Sequence, residues 1–487
     1  MTSCNQMNRR GFLQASSAML GAAVWTGTGA RAAGFKSANE RPRIGVVGCG
    51  VRWDKRVHDP NGNYGLGKEF PKFGDIVSVC DVDSVRLDRA KTLVKDWLGA
   101  TPDASGDYRS VIDDPTIDVV HIVTPDHWHA KVAIEAMLAG KDVYCEKPMT
   151  LTIEEGRLIC DVQKRTGAVF QVGTQQRSGR QFIQAIAMIR DGGLGQLQKV
   201  QCGIGGAPVS PELPVTTPPA NLDWDRWLGP APEAEYRFQD NAPNIVGSWS
   251  RAHYEFRWWY EYSGGKLTDW GAHHVDIATW GIFNSDATVR DDAGSKGRST
   301  LNGSVGIKMG ETATGPISID PIMVKHPVEF KDGYPVVDDQ YNTATEFNIK
   351  ATYANGVELT IRHDTDNGIL FEGTEGRIFV NRGRLSGQPV EELASNPLPD
   401  GALEKVYKDR SLTDHVTNFF EAVVARKEPI SDVHSHHRAL TTCHLAGIAA
   451  RVGRKIEWDP VNEQIIGDEL AQSLVARQKR QRFEIEM

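Results

Sequence analysis

The sequence predicts an α/β chain: a doubly wound parallel sheet comes first, then an α+β domain built on a large, mostly antiparallel sheet. Three observations carry this expectation. Arg43 to Gly48 (RIGVVG) is a short apolar strand that runs directly into Gly48-Cys49-Gly50. Val119 to Thr150 reads as strand, helix, strand, and its apolar runs are short and β-branched, as in strands buried inside a parallel sheet. From Glu346 onward apolar and polar residues alternate, with Asn355-Gly356 and Glu375-Gly376 at hairpin turns.

The composition sets the scale. With 487 residues, 40% hydrophobic and 24% charged, the chain can bury two cores. A formal charge of -8 and a pI near 6.0 argue against nucleic acid as a partner. The one basic cluster, Arg477, Lys479, Arg480 and Arg482, reads as a solvated terminal helix. Seven cysteines form no framework: Cys4 lies in the leader, Cys49, Cys80 and Cys145 fall at strand ends as small core residues, and no metal-binding cluster is read. Residues 1–33 carry Asn8-Arg9-Arg10-Gly11-Phe12-Leu13, an apolar run to Trp25 and Ala30-Arg31-Ala32, the features of a twin-arginine export signal. The expected division is therefore a signal over 1–33, a parallel-sheet domain over 41–170, an α+β domain over 171–460 and a tail over 461–487. No membrane span appears.

In chain order, Gly48-Cys49-Gly50 is a turn at which backbone can approach a pyrophosphate. The third glycine of G-x-G-x-x-G is replaced by Trp53, so the packing of a first helix is in doubt. Ile76 to Cys80 is the second strand, and Asp81 at its end can accept hydrogen bonds from ribose hydroxyls or cap the helix from Ser84 to Trp97. Val119 to Val123 ends at Thr124-Pro125; Asp126 is placed to cap a helix whose apolar face is Ala130, Val132, Ala133, Ala136 and Met137. Asp142 to Cys145 then delivers Glu146-Lys147-Pro148 beyond a strand's carboxyl end, and proline holds Lys147 in an extended turn. A helix over 151–166 and a strand over 169–172 follow, then Gly173-Thr174-Gln175-Gln176-Arg177. In Arg251 to Trp280, Asp269 and His273 lie four apart on one helix face, a pairing that suits a general base oriented by a carboxylate. His274 points off that face. Arg257, with Trp258, Trp259 and Tyr260, offers a cation and aromatic surfaces of the kind that hold sugar rings. Helices are expected over 412–426 and 436–452, with His434, His436 and His437 as cap and surface residues.

Thr-Pro-Asp-His-Trp-His at 124–129, followed one β-α-β unit later by Glu146-Lys147-Pro148, resembles the glucose-fructose oxidoreductase, inositol dehydrogenase and MocA superfamily, as do Asp269, His273 and Asp276 in the spacing D-x-G-x-H-x-x-D. Trp224 to Pro232 (WDRWLGPAP) resembles a segment of its secreted members. The resemblance implies a Rossmann domain holding a nicotinamide dinucleotide; Asp81 favours NAD, Arg86 nearby leaves NADP possible, and the export signal suggests that the cofactor is tightly bound. It implies cofactor contacts from Gly48, Cys49, Gly50, Asp81, Thr124, Pro125, His129, Glu146, Lys147 and Gln175. Lys147, His273 and Asp269 are implied in catalysis, and Arg177, Arg257, His274 and Asp276 at the substrate. Hydride would pass between nicotinamide and a ring carbon of a sugar, cyclitol or glycoside, with His273 or Lys147 taking the hydroxyl proton. Two other readings stay open: a glycoside hydrolase or lyase using NAD transiently, and a non-catalytic nucleotide sensor. A homo-oligomer, dimer or tetramer, and a periplasmic destination are further expectations.

Overall fold

The computed structural model describes residues 41–57, 65–244, 246–285 and 315–485; the segment 1–33, expected to be an export signal, lies outside them. Strands β1 (Arg43–Val47), β2 (Asp75–Cys80), β3 (Asp103–Ser105), β4 (Val119–Ile122), β5 (Asp142–Cys145) and β6 (Phe170–Val172) form a parallel sheet in the order β3-β2-β1-β4-β5-β6. Every residue of β4 and β5 is buried, as expected when helices cover both faces of a sheet. The order reverses between β1 and β4. Turns leaving those two strands therefore diverge and open a crevice beyond the carboxyl ends.

The helices around this sheet begin and end for local reasons. Asp83, not Asp81, caps Ser84–Leu98 by accepting from the amides of Val85 and Arg86; Gly99, at φ 73°, ends it. Thr152 caps Ile153–Thr166 and Gly167, at φ 67°, terminates it. Asp126 does not cap Asp126–Leu138, because its carboxylate instead accepts from Ser263 Oγ at 2.5 Å. Where the first helix of such a fold is expected, the chain makes 3-10 turns at Lys55–Val57, Leu66–Lys68 and Phe70–Lys72. Trp53 is the cause: its indole is almost wholly buried, and the ring lies where a side chain on Gly67 would stand.

The second sheet starts with β7 (Leu197–Gly203). A long excursion follows, holding the hairpin β8 (Phe238–Asp240) and β9 (Ser248–Ser250). Then come β10 (Pro316–Lys325), the small hairpin β11 (Phe330–Lys331) and β12 (Tyr334–Pro335), β13 (Glu346–Tyr353), β14 (Glu358–Arg362), β15 (Gly368–Gly373), β16 (Arg377–Val380), β17 (Leu385–Ser386), β18 (Ile456–Asp459) and β19 (Gln464–Ile466). Nine of these order as β17-β16-β15-β7-β14-β13-β10-β18-β19, antiparallel except where β14 runs parallel to β7. In β13 burial alternates strictly. Phe347, Ile349, Ala351 and Tyr353 face a core shared with helices Gly271–Asn284 and Val433–Val452.

Two expectations fail in this region. His436 and His437 are buried, with His436 Nδ1 3.4 Å from Asp276 Oδ1, and only His434 of the three is partly exposed; the cap of Val433–Val452 is Asp432, itself buried. Nor do residues after 460 form a solvated tail. β19 completes the sheet edge, and the chain then returns to the parallel-sheet domain. Arg477 donates to the carbonyls of Tyr260 and Glu261 at 2.5 and 2.8 Å, and Arg480 to the carbonyl of Gly229 at 2.6 Å. Lys131 Nζ donates to the carbonyl of Glu484 at 2.7 Å. Arg477 and Arg480 thus satisfy main-chain carbonyls, while Lys479 pairs with Glu155 at 3.5 Å and exposed Arg482 with Asp225.

Candidate active site

A cleft of about 490 Å³ lies beyond the carboxyl ends of β1, β2, β4 and β5. At its first wall, Gly48 sits at φ +92°, and a β-carbon there would stand 2.6 Å from the carbonyl carbon of Val123. Only glycine permits that approach. The amide of Cys49 donates to Asp81 Oδ2 at 2.7 Å and the amide of Asp83 to Oδ1 at 2.9 Å, so Asp81 locks the turn after β1 to the end of β2. Burial pushes its carboxyl above the usual range, against the pull of nearby Arg86 and these amides. Arg52, two residues beyond Gly50, pairs with Glu146 at 3.0 Å.

The residues fit a dinucleotide. The glycine turn leaves backbone bare, and Thr124 Oγ1, Glu146 Oε1 and Gln175 Oε1 are buried at the cleft without a hydrogen-bond partner among the described residues. Polar atoms in that state are costly unless something binds them. His129 stands behind this wall rather than on it. Its ring nitrogens lie 2.7 Å from the carbonyl of Pro148 and 2.9 Å from that of Thr124, bracing the turn that carries Lys147, so it is not a direct cofactor contact.

Lys147 crosses to the second domain. Its ammonium donates to the carboxylate of Asp269 and, at 3.1 Å, to that residue's carbonyl. Arg257 Nε approaches the same carboxylate at 3.7 Å. Against the opposing effect of burial, these cations hold the Asp269 carboxyl down to about 2. The expected Asp269–His273 pairing is therefore not formed: a carboxylate offered an ammonium gains far more from it than from a neutral imidazole. His273 lines the cleft with Nδ1 buried and unpartnered among the described residues. Burial first, then Lys147, Arg382 and His274, depress its pKa well below the ordinary value.

Three expected substrate residues lie elsewhere. Arg177 makes a bidentate pair with Asp276, both bonds 2.7 Å, and its remaining nitrogen donates to Ser435 at 2.8 Å; both partners are buried. His274 sits between Gln176 Nε2 at 3.2 Å and Asn367 Oδ1 at 3.0 Å, also buried, with its pKa lowered to about 4 by burial. These groups hold the helix Gly271–Asn284 in place behind His273. Arg257 alone of the expected substrate set reaches the cleft.

The cleft also takes residues that sequence reasoning missed. Arg382 stands on the turn after β16, where Asn381 accepts from the amides of Gly383 and Arg384 at 2.9 Å each; nothing in its local sequence marks it. Tyr254 and Phe256 face Arg257. At the end near β2 and β3, Arg226, Arg482 and Phe483 complete the lining, Phe483 standing edge-on to Trp128 at 5.5 Å. The Trp224–Leu228 turn is tied there by Trp128 Nε1, which donates to the carbonyl of Trp227 at 3.1 Å.

Comparison with known proteins bears on this arrangement. Residues 42–174 match the oxidoreductase family with an NAD-binding Rossmann fold, and residues 209–291 and 325–485 match its C-terminal α/β domain. A levoglucosan dehydrogenase of Pseudarthrobacter phenanthrenivorans is 29% identical over 296 residues, 57% of this chain and 59% of that protein. A glycosyl hydrolase family 109 protein of a Shewanella species is 31% identical over 209 residues, 39% and 44% of the two chains. The aligned stretches thus span about half the length of these curated relatives. Among solved structures, the WlbA dehydrogenase of Bordetella pertussis, in complex with NADH and UDP-GlcNAcA, superposes at TM-score 0.52 with 16% identity, covering 86% of this chain and 99% of that one. The aldose-aldose oxidoreductase of Caulobacter crescentus, complexed with glycerol, gives 0.51 with 16% identity, covering 86% and 100%.

Proposed function

We propose that this chain, which belongs to the Gfo/Idh/MocA oxidoreductase family with its NAD-binding Rossmann fold, oxidises a ring hydroxyl of a sugar, cyclitol or glycoside. The observation that carries the reading is the division of labour in the cleft: a lysine ion-paired with Asp269 beside a histidine held neutral. Gly48, Cys49, Gly50, Asp81, Thr124, Pro125, Glu146 and Gln175 would hold NAD, which supplies the hydride acceptor. His273, neutral at physiological pH, accepts the hydroxyl proton. Lys147, ion-paired with Asp269, stabilises the alkoxide as charge develops. Arg257 orients the ring from the opposite side. Asp81 favours NAD over NADP, because a 2'-phosphate would meet a carboxylate.

A second reading is favoured by the family 109 relatives: oxidation, elimination of an aglycone and return of the hydride, with no net redox change. The twin-arginine pattern supports export, hence a periplasmic enzyme that carries its nucleotide with it. Exposed Ile317, Ile322 and Met323 on β10 support a homo-oligomer, dimer or tetramer, formed on the outer face of the second sheet. The domain limits 41–170 and 171–460 are proposed as the units that close on the cofactor. Incubation of the pure protein with NAD and a panel of sugars and aryl glycosides tests the function. NADH accumulation supports the dehydrogenase, aglycone release without NADH supports the second reading, and neither product contradicts both.

A further inference from the structure

The cations at the sugar end of the cleft pair off unevenly. Lys147 has Asp269, Arg52 has Glu146, and Arg257 shares Asp269 while donating to the carbonyl of Tyr254 at 2.8 Å. Arg382 is left over. Its Nε donates to Gln176 Oε1 at 3.0 Å, and its guanidinium lies over the indole of Trp270 at 4.7 Å. No carboxylate among the described residues pairs with it, and neither Nη takes part in a hydrogen bond there.

The side chain is nevertheless held in a fixed place. Gln176 cannot turn away, because its amide nitrogen is committed to His274 Nδ1 at 3.2 Å and to the carbonyl of His273 at 3.3 Å. Partial burial of its side chain and Arg52 disfavour the charge on Arg382, Asp269 favours it, and the residue as a whole is exposed. An exposed guanidinium with two free donors, supported from behind by Gln176 and Trp270 and opening into a cleft, is arranged to receive an oxyanion in a planar, two-point contact.

We propose that Arg382 is a specificity-determining residue and that the substrate is an acidic sugar, one bearing a carboxylate or another oxyanion on the ring being oxidised. The anion neutralises Arg382 and the second Nη of the fork fixes the ring's rotation, which decides which hydroxyl meets His273. This rests on the oxidoreductase reading. A hexuronate satisfies the geometry through its planar carboxylate, and a sugar sulfate offers the same chemistry from a different source.

The test uses the full mature chain with NAD. Glucuronate, galacturonate and mannuronate are each paired with the parent hexose, and glucose 6-sulfate is run beside them. Two quantities are read: kcat/KM from NADH formation, and saturable quenching of tryptophan fluorescence, to which Trp270 responds whether or not turnover occurs. At least one uronate or the sulfate should exceed its neutral parent in both. The larger of the two acidic responses identifies the source. In Arg382→Gln the acidic-to-neutral ratio should fall roughly tenfold to a hundredfold, the loss expected for a hydrogen-bonded charge, chiefly through KM. Arg382→Lys should restore part of it. Equal handling of acidic and neutral sugars by the wild type, or an unchanged ratio in Arg382→Gln, overturns the inference. So does an equal loss of NAD affinity in that variant, which would give Arg382 to a cofactor phosphate. Binding of uronate without any NADH or product contradicts the oxidoreductase reading instead and leaves the anion site standing.

Discussion

Lys147 and Asp269 are 122 residues apart, yet the lysine ammonium donates to both the carboxylate and the main-chain carbonyl of the aspartate. This contact joins the two domains across the cleft. Lys147 is thereby committed to a carboxylate, while His273 Nδ1 is unpartnered among the described residues, which is why His273 is the proposed base.

Lys147→Ala should therefore reduce kcat by about a hundredfold to a thousandfold, the scale of losing one preorganised charge at a developing oxyanion. Lowering or raising the pH should not restore it. NAD affinity, measured by fluorescence titration, should change far less than kcat.

Asp81 lines the cleft at the end of β2 and holds the amide of Cys49 at 2.7 Å. Asp81→Ser keeps a short acceptor and removes the charge. The preference for NAD over NADP should narrow by about tenfold or more, since like charges in contact cost several kcal/mol. Separate dissociation constants for the two nucleotides check this.

The returning C-terminal segment makes a wall of the same cleft. Phe483 packs on Trp128, and Arg480 fastens the segment through Gly229 and Asp225. Phe483→Ala should accelerate release of bound NAD by about tenfold, on the scale of about 1.4 kcal/mol per decade. Stopped-flow displacement measures it. Wild-type protein purified without added nucleotide should already yield NAD(H) on denaturation.

Arg177 and Asp276 form a buried ion pair behind the helix Gly271–Asn284. Arg177→Ala should cost about 3–5 kcal/mol of stability, the price of a buried charge without its partner. Denaturant unfolding of the folded variant should record that loss, while KM for a given sugar moves little in whatever fraction remains folded.

Much of the fold was legible because local patterning and tertiary structure agree. β-branched runs gave β1, β2, β4 and β5, and Asn355-Gly356 gave the β13–β14 hairpin. β3 and β19 have no such pattern: each is three residues at a sheet edge, held by its neighbour's backbone. The site was legible as a set of residue types more than as a set of contacts. Spacing put Asp269 beside His273, but spacing carries no information about a lysine arriving from another domain. Arg177 and Asp276 read as substrate ligands because charged residues in a motif look alike whether they face a cleft or one another. Arg52 was within reach, two residues past a glycine turn; Arg382, on an ordinary polar turn, was not.

The central claim is that His273 is the proton acceptor and is neutral throughout the physiological range. A base with a depressed pKa stays in its active, unprotonated form as pH falls, so the acid limb of kcat/KM for the wild type should lie well below pH 6.5. The pH–rate profile of His273→Ala against the wild type tests this most directly. The account predicts a loss of roughly a hundredfold to ten-thousandfold in the plateau rate and disappearance of that acid limb. A variant that keeps both the rate and the limb would contradict it and make His273 a packing residue.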